Sequence, residues 1–339
     1  MDHAEDDFDG DVFIYRGGRD APEHITHALI DKSLDEIEGD AFWICEHLVQ
    51  VDTHEGIRRI GKQAFWKCKS LQRINLKSAT EIEESAFYEC ENLESAEFGD
   101  SLERIGNLAF YRCSLKHLKL PSIITIERHV FCGCTHLTNV DLSDCLETIG
   151  VGAFYGCEYL QRIAIPLKRD LFVIDDLHQK YNQFDDCDLL TSVDIVRQAH
   201  TKTIASLHMA CWRTEMIAEI NRINQVLPNT PADDKAGEIK LWIDSVMDKM
   251  DNYKAEHCSY VREGISLLEL ALWKAKLDEK EDNSVEGRTK KAKVDTTSAR
   301  KEKRITSGAD IVIKNVLPFL KLEYHQNLGG LLHFPLLQG

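Results

Sequence analysis

The 339-residue chain has no run of about twenty uninterrupted apolar residues, the length a helix needs to cross a bilayer core. Its first eleven residues, MDHAEDDFDGD, carry no apolar core, so no secretory signal is expected there and the segment reads as a flexible acidic end. Complete catalytic motifs are missing as well. There is no Gly-x-x-x-x-Gly-Lys-Ser/Thr phosphate loop, no Gly-x-Ser-x-Gly elbow, no His-Glu-x-x-His pair and no Gly-x-Gly-x-x-Gly fingerprint. No enzyme is expected on these grounds, and no cofactor. Positive charge is scarce: 41 basic against 57 acidic side chains leave a formal charge of -16. Residues 1–200 hold 37 of the acidic and 20 of the basic side chains. That balance disfavours nucleic acid, whose affinity for proteins comes mainly from neutralised phosphates.

What the chain does have is a period. Phe42, Phe65, Phe87, Phe110, Phe131, Phe154 and Phe184 recur at steps of 23, 22, 23, 21, 23 and 30 residues. Each is followed three places later by a cysteine: Cys45, Cys68, Cys90, Cys113, Cys134, Cys157 and Cys187. Ala41, Ala64, Ala86, Ala109, Val130 and Ala153 precede the first six, and Ile37, Ile60, Ile82, Ile105, Ile126 and Ile149 stand four places before those. After the cysteine comes Leu-x-x-aliphatic-x-aliphatic, as in Leu71, Ile74 and Leu76 or Leu160, Ile163 and Ile165. Alternation over that short stretch is the mark of a strand with one buried face. Units of this length fit a leucine-rich-repeat solenoid of short parallel strands and tight turns or short helices, an α/β repeat fold. A lone unit buries too little apolar surface to offset the entropy of ordering it, so the units must stack.

Stacking gives each cysteine the same place in its unit, so the seven thiols should form an interior ladder. A small, weakly polar thiol suits a tight buried corner. Zinc would need four converging ligands; the only close pair, Cys132 and Cys134, has no finger-spaced companions, so no metal is expected. Stacked cysteines would lie within bridging distance. Their parallel side-chain directions, the odd number seven and an expected reducing interior argue for free thiols.

The repeated Ile-x-x-x-Ala-Phe-x-x-Cys-x-x-Leu, from Ile37 to about Ile195, resembles the BspA-like class of leucine-rich repeat proteins, abundant in bacteria, protists and unicellular algae. The stretches ALWKAKLDEKEDNSVEG and ADIVIKNVLPFLKLE are similar to the C-terminal extension of an algal subgroup that has no assigned activity. The resemblance implies a curved binding scaffold, and for surface-exposed relatives an adhesive role. The expected absence of a secretion signal sets this chain apart, and an intracellular location, cytoplasmic or nuclear, is expected instead.

The pattern divides the chain into an acidic end (1–11), an N-terminal cap (12–36), a solenoid of about seven units (37–200), a helical hairpin or coiled coil (201–280), a basic linker (281–308) and an apolar C-terminal segment (309–339). The Phe184 unit lacks the upstream Ile-x-x-x-Ala and reads as a degenerate terminal cap. Two apolar stripes at helical spacing are expected beyond it. One runs through Ile204, Leu207, Cys211, Ile217, Ile220, Asn224 and Leu227. The other runs through Ile239, Ile243, Val246, Met250, Tyr253, His257 and Tyr260 to Leu268 and Leu272, with a break near Gly264. They fit a hairpin packed on itself or on the last repeat, or a coiled coil that makes a homodimer. Residues 288–304 hold two basic clusters, Lys290, Lys291 and Lys293, then Arg300, Lys301, Lys303 and Arg304. They read as solvated linker or as a nuclear signal.

A binding surface follows from the strand alternation. The residues between buried positions point outward: Arg73 and Asn75, Ser95 and Glu97, His117 and Lys119, Asn139 and Asp141, and Arg162 with Ala164. This row of mixed sign, about 25 Å long at sheet spacing, suits a protein or peptide partner better than a polyanion. An ordinary wet sheet face is the other reading.

Overall fold

The computed structural model describes residues 8–9, 12–173, 182–196 and 210–285. The chain divides into two compact units, Met1–Met250 and Asp251–Gly339.

The first unit is a parallel-strand solenoid closed by helices. Each turn has a corner made of Ala-Phe-x, bracketed by two residues in the left-handed region. The pairs are Asp40 and Ile44, Gln63 and Lys67, Ser85 and Glu89, Leu108 and Arg112, His129 and Gly133, and Gly152 and Gly156. Two left-handed residues four apart reverse the chain inside one turn. Most are not glycine, so the corner is held by its neighbours rather than by local preference. The holding bonds run between units: Phe42, Phe65 and Phe87 donate their N–H to the carbonyls of Ala64, Ala86 and Ala109 at 2.7 Å each. The buried phenyl rings of Phe42 to Phe184 stack in one column, with centroids 5.0–5.7 Å apart.

Two rows of strands flank the column. The back row is one sheet of six two-residue parallel strands: Glu36–Ile37, Arg59–Ile60, Glu81–Ile82, Arg104–Ile105, Thr125–Ile126 and Thr148–Ile149. Its sequence alternates from unit to unit in a way the single-unit period hides. Glutamate follows the isoleucine at Glu38, Glu83 and Glu127, and glycine follows it at Gly61, Gly106 and Gly150. Glu83 accepts the N–H of Lys62 at 2.9 Å and Glu127 that of Asn107 at 3.0 Å. Each thus caps the residue just past the glycine of the preceding unit. Arg59 bonds Glu36 and Glu83, and Arg104 bonds Glu81 and Glu127. The true repeat of this edge is therefore two units.

The front row holds the longer strands, and it is broken. Val12–Tyr15, His27–Ile30, Gln50–Asp52, Arg73–Leu76 and Ser95–Phe98 form a parallel sheet, with Phe8–Asp9 antiparallel at its outer edge. His117–Lys119, Asn139–Asp141, Arg162–Ile165 and Ser192–Ile195 form a second parallel sheet. The expected continuous row is corrected here to two segments.

Both ends of the column are closed. At the first, Tyr15 takes the place of a phenylalanine, its ring 5.2 Å from that of Phe42, and Glu38 accepts from the Tyr15 hydroxyl and the Gly18 N–H. At the other, α1 (Ala210–Val226), a 3-10 turn (Leu227–Asn229) and the first part of α2 (Ala232–Val285) pack against the Phe184 unit. That unit has glutamine, Gln179, where the others have isoleucine; among the described residues Phe172 bridges Ile149, and buried Gln183 donates to the Val173 carbonyl at 2.8 Å. The buried Lys235 ammonium donates to the carbonyls of Cys187 (2.8 Å) and Asp188 (2.7 Å). The equivalent of Asp188 in the Phe65 unit, Lys69, accepts the N–H of Asn92 from the following unit. Lys235 thus stands where another repeat would have supplied its main chain. Asn224 likewise accepts the N–H of Val193 at 2.8 Å.

The helices differ from the sequence expectation in three respects. The buried face of α1 is Trp212, Met216, Glu219 and Ile223, continued by Leu227 in the 3-10 turn, whereas Ile217 is 53% exposed. The phase slips because Glu219, in the middle of that face, is held by Arg222, Ser245 and Lys249. The stripe of α2 is buried from Ile239 to Tyr253, but Tyr260 and Leu272 are exposed. Finally, α2 runs through Gly264 without a break. Ile204, Leu207, the basic clusters of 288–304 and the 309–339 segment lie outside the described residues.

Candidate functional site

The thiol ladder is built as one motif. All seven cysteines are buried and unbridged. Six donate back to the carbonyl of the phenylalanine one unit earlier: Cys68 to Phe42, Cys90 to Phe65, Cys113 to Phe87, Cys134 to Phe110, Cys157 to Phe131 and Cys187 to Phe154, at 3.0–3.2 Å. Cys45, with no preceding phenylalanine, sits 3.7 Å from the carbonyl of Pro22 in the cap. Burial pushes the thiols of Cys90, Cys113 and Cys157 well above their usual range, and those of Cys134 and Cys187 up to about 12. A thiol so placed is neither a nucleophile nor a ligand. Among the described residues, no group of His, Cys, Asp and Glu is disposed to hold a metal ion.

The front sheet carries the outward row. Arg73, Asn75, Glu97, His117, Lys119 and Asp141 are exposed, while Ser95, Asn139 and Arg162 are half-buried. Ala164, expected to face out, is only 6% exposed. The row also extends to residues that the aliphatic pattern did not mark. Gln50 and Asp52 lie in register with the row at one end, where Asp52 meets the His27 ring at 2.9 Å. Ser192 and Asp194 continue it at the other. Leu48-x-x-Val51 was the available signal for the former, but Thr53 stands where a second aliphatic belonged. Most of the row's charges are spent within it. Lys77 meets Glu97 at 2.7 Å, and Arg162 bonds both Asp141 and Asp194 at 2.7 Å. Arg73 and Lys119 are the exceptions: neither side chain has a hydrogen-bond or ion-pair partner among the described residues.

The break in the row has a local cause. Between Cys113 and Leu115 there is one residue, Ser114, where the other units place two. The missing residue is the one whose N–H would have bonded the Glu91 carbonyl, as Asn92 bonds Lys69. The Ser114 hydroxyl takes that bond instead. One long contact, Lys116 N–H to Glu94 O at 3.4 Å, remains beside it, and strands Ser95–Phe98 and His117–Lys119 do not pair. The neighbouring unit adds a second irregularity, since Ala96 stands where Ile74, Leu118, Val140 and Ile163 stand elsewhere. At the corner, the Phe87 and Phe110 rings still stack at 5.0 Å. The two units are thus closed at the phenyl column and open at the front. The result is a depression of about 560 Å³ lined by Ala96, Phe98, Leu118, Glu97, His117, Lys119 and their neighbours.

A stacked array with a phenyl column, a thiol ladder and a sheet face of mixed charge defines a leucine-rich-repeat protein. The chain belongs to the BspA type Leucine rich repeat region family, which matches it in six copies over residues 22–125 and 103–226. Solved structures similar to it include a leucine-rich repeat protein from Bacteroides ovatus, 26% identical with a TM-score of 0.39 over 51% of this chain and 45% of that one. Another is the Leucine Rich Repeat protein TpLRR of T. pallidum, 25% identical with a TM-score of 0.36 over 54% and 73%. A third is the Pneumococcal vaccine antigen PcpA, 17% identical with a TM-score of 0.27 over 50% and 62%. The match thus spans less than half the length of the B. ovatus protein. No curated protein matches the chain.

Proposed function

We propose that the protein is an interaction scaffold that binds a protein or peptide through the front sheet of its repeats. The supporting observation is the row itself. It is a surface of mixed charge from Gln50 to Asp194 carried on two parallel sheets, with side chains placed by ladder register within each sheet rather than by loops. Alternating signs reject a uniform polyanion and favour a partner with a matching pattern. The test is affinity capture with mass spectrometry on the native chain and on Arg73→Glu/Lys119→Glu. Both side chains are exposed and neither bonds another group among the described residues, so the variant should melt like the native protein and lose its partner. Undiminished capture overturns the reading.

A second role, self-association, is favoured by α2 beyond Asp251. There Leu267, Leu270 and Trp273 are 62%, 67% and 70% exposed, and apolar exposure on that scale marks a covered surface. We propose that a second copy covers it.

A further inference from the structure

We propose that the opening between Ser95–Phe98 and His117–Lys119 is the specificity pocket of this scaffold. It admits an apolar side chain of an extended peptide that carries a carboxylate beside that anchor. The inference rests on the reading of the front sheet as a recognition surface and names the chemistry it recognises.

The apolar half of the requirement comes from the floor. In the interior strands on either side the inward positions are sealed, as Ile74 and Leu76 are at 3% and 2% exposure and Leu118 and Leu120 at 2% and 1%. Here Ala96 and Phe98 are both half-exposed, and the Phe98 ring stands edge-on to Phe110 in the column, centroids 5.8 Å apart. Apolar core surface is thus open to the outside here, in the middle of the row. The opening is a wedge, shut behind by the Phe87–Phe110 stack at 5.0 Å. A whole strand does not fit between units stacked so closely, since a strand needs about 4.8 Å to each neighbour. A single side chain does fit.

The acidic half comes from the rim. Glu97 is neutralised by Lys77 and Asp141 by Arg162, both at 2.7 Å, and the Lys119 ammonium is left unpaired with the His117 ring beside it on the same face. Arg162 is shared with Asp194, so what the mouth offers a ligand is one ammonium donor without a partner of its own. The two facing strand edges also carry main-chain groups with no ladder partner across the gap.

The test uses the full chain and a displayed library of random linear peptides. The native protein should enrich a motif with a large aliphatic or aromatic residue next to Asp or Glu. Ala96→Leu restores the residue type of the other units and fills the wedge. One residue inserted after Ser114 restores the Cys-x-x-Leu spacing and lets the strands pair. Each should weaken the enriched peptide by about tenfold or more, and the insertion should also protect the amides of 117 and 119 from hydrogen exchange. Lys119→Gln should keep the apolar preference and lose the acidic one. No enriched motif on the native chain, or a motif whose binding survives both wedge-closing variants, overturns the proposal. A natural partner captured by native protein, lost in Arg73→Glu/Lys119→Glu but kept by Ala96→Leu, overturns the pocket while the scaffold reading stands. Peptide enrichment without any captured partner does the reverse.

Discussion

At the scale of single residues, the array is governed by what one atom can reach. A thiol at Cys90 meets the Phe65 carbonyl at 3.1 Å, a distance matched to the long C–S bond. Cys90→Ser places a shorter, more polar hydroxyl in the same dry corner and should cost about 2–3 kcal/mol, more than Cys90→Ala, because a poorly bonded buried hydroxyl carries its full desolvation penalty. Urea denaturation of the two variants checks the order. Burial also predicts chemistry. In native protein, alkylation followed by mass spectrometry should label exposed Cys145 and Cys258 and spare the seven ladder thiols. Ile44 holds φ at 55° although it is β-branched, a conformation that costs L residues roughly 1–2 kcal/mol. Ile44→Asn should therefore raise stability by about 1 kcal/mol, visible as a higher denaturant midpoint. The ladder register was legible in the sequence because every rung repeats the same constraint. Ala164 was not, because strand alternation alone puts it on the outer face, where it is nonetheless only 6% exposed.

At the scale of elements, what the sequence hid is what departs from the unit period. The alternation of Glu38, Gly61, Glu83 and Gly106 needs two units to show itself. Its physical reason is contact: a Cβ on Gly61 would stand 2.5 Å from the Gly39 nitrogen, and one on Gly106 would stand 2.8 Å from Glu83 main chain. Gly106→Ala should cost about 1–3 kcal/mol by overpacking. The broken front row was written in the 21-residue step from Phe110 to Phe131, but a shortened step does not reveal which side of the turn gives way. Only the bonds of Ser114 and Lys116 do. In the helical cap, the period of α1 misled because its buried face contains a carboxylate. Burial acts to raise the Glu219 pKa, and the bonds from Lys249, Arg222 and Ser245 outweigh it, bringing the pKa to about 2. A carboxyl depressed in the folded state binds its proton more readily when unfolded, so its contribution is present above about pH 4.5 and fades as pH falls toward 2. Glu219→Gln should lower the melting temperature at neutral pH and flatten its dependence across that window.

At the scale of the whole molecule, the array is one-dimensional, and its ends matter as much as its interior. Lys235→Met should strip the buried Cys187 carbonyl and the Asp188 carbonyl of their donor and cost about 2–3 kcal/mol. Limited proteolysis should then release fragments from the Phe184 unit before any from the middle repeats. The exposed apolar stretch of α2 sets the assembly question. Leu267→Glu/Leu270→Glu should abolish any concentration-dependent rise in sedimentation coefficient, and a native chain that stays monomeric throughout the series removes self-association. The sequence exposed the solenoid and the hairpin, each written in a sustained period. It could not show which helical residues stay uncovered, since the same stripe of apolar residues is buried up to Tyr253 and open at Tyr260.

The sulfur bonds have a direction. Each points to the unit made before it, so a nascent chain emerging from its N-terminus finds every acceptor already in position when the next cysteine appears. Main-chain N–H groups at the same corner reach the other way, from Phe42 to Ala64 and onward, and they wait for the later turn to arrive. The newest turn is thus clasped at once by its thiol and leaves fresh donors for its successor, an arrangement suited to growth in the order of synthesis. A chain shortened from its C-terminus keeps an acceptor for every remaining thiol, whereas one shortened from the N-terminus orphans its first.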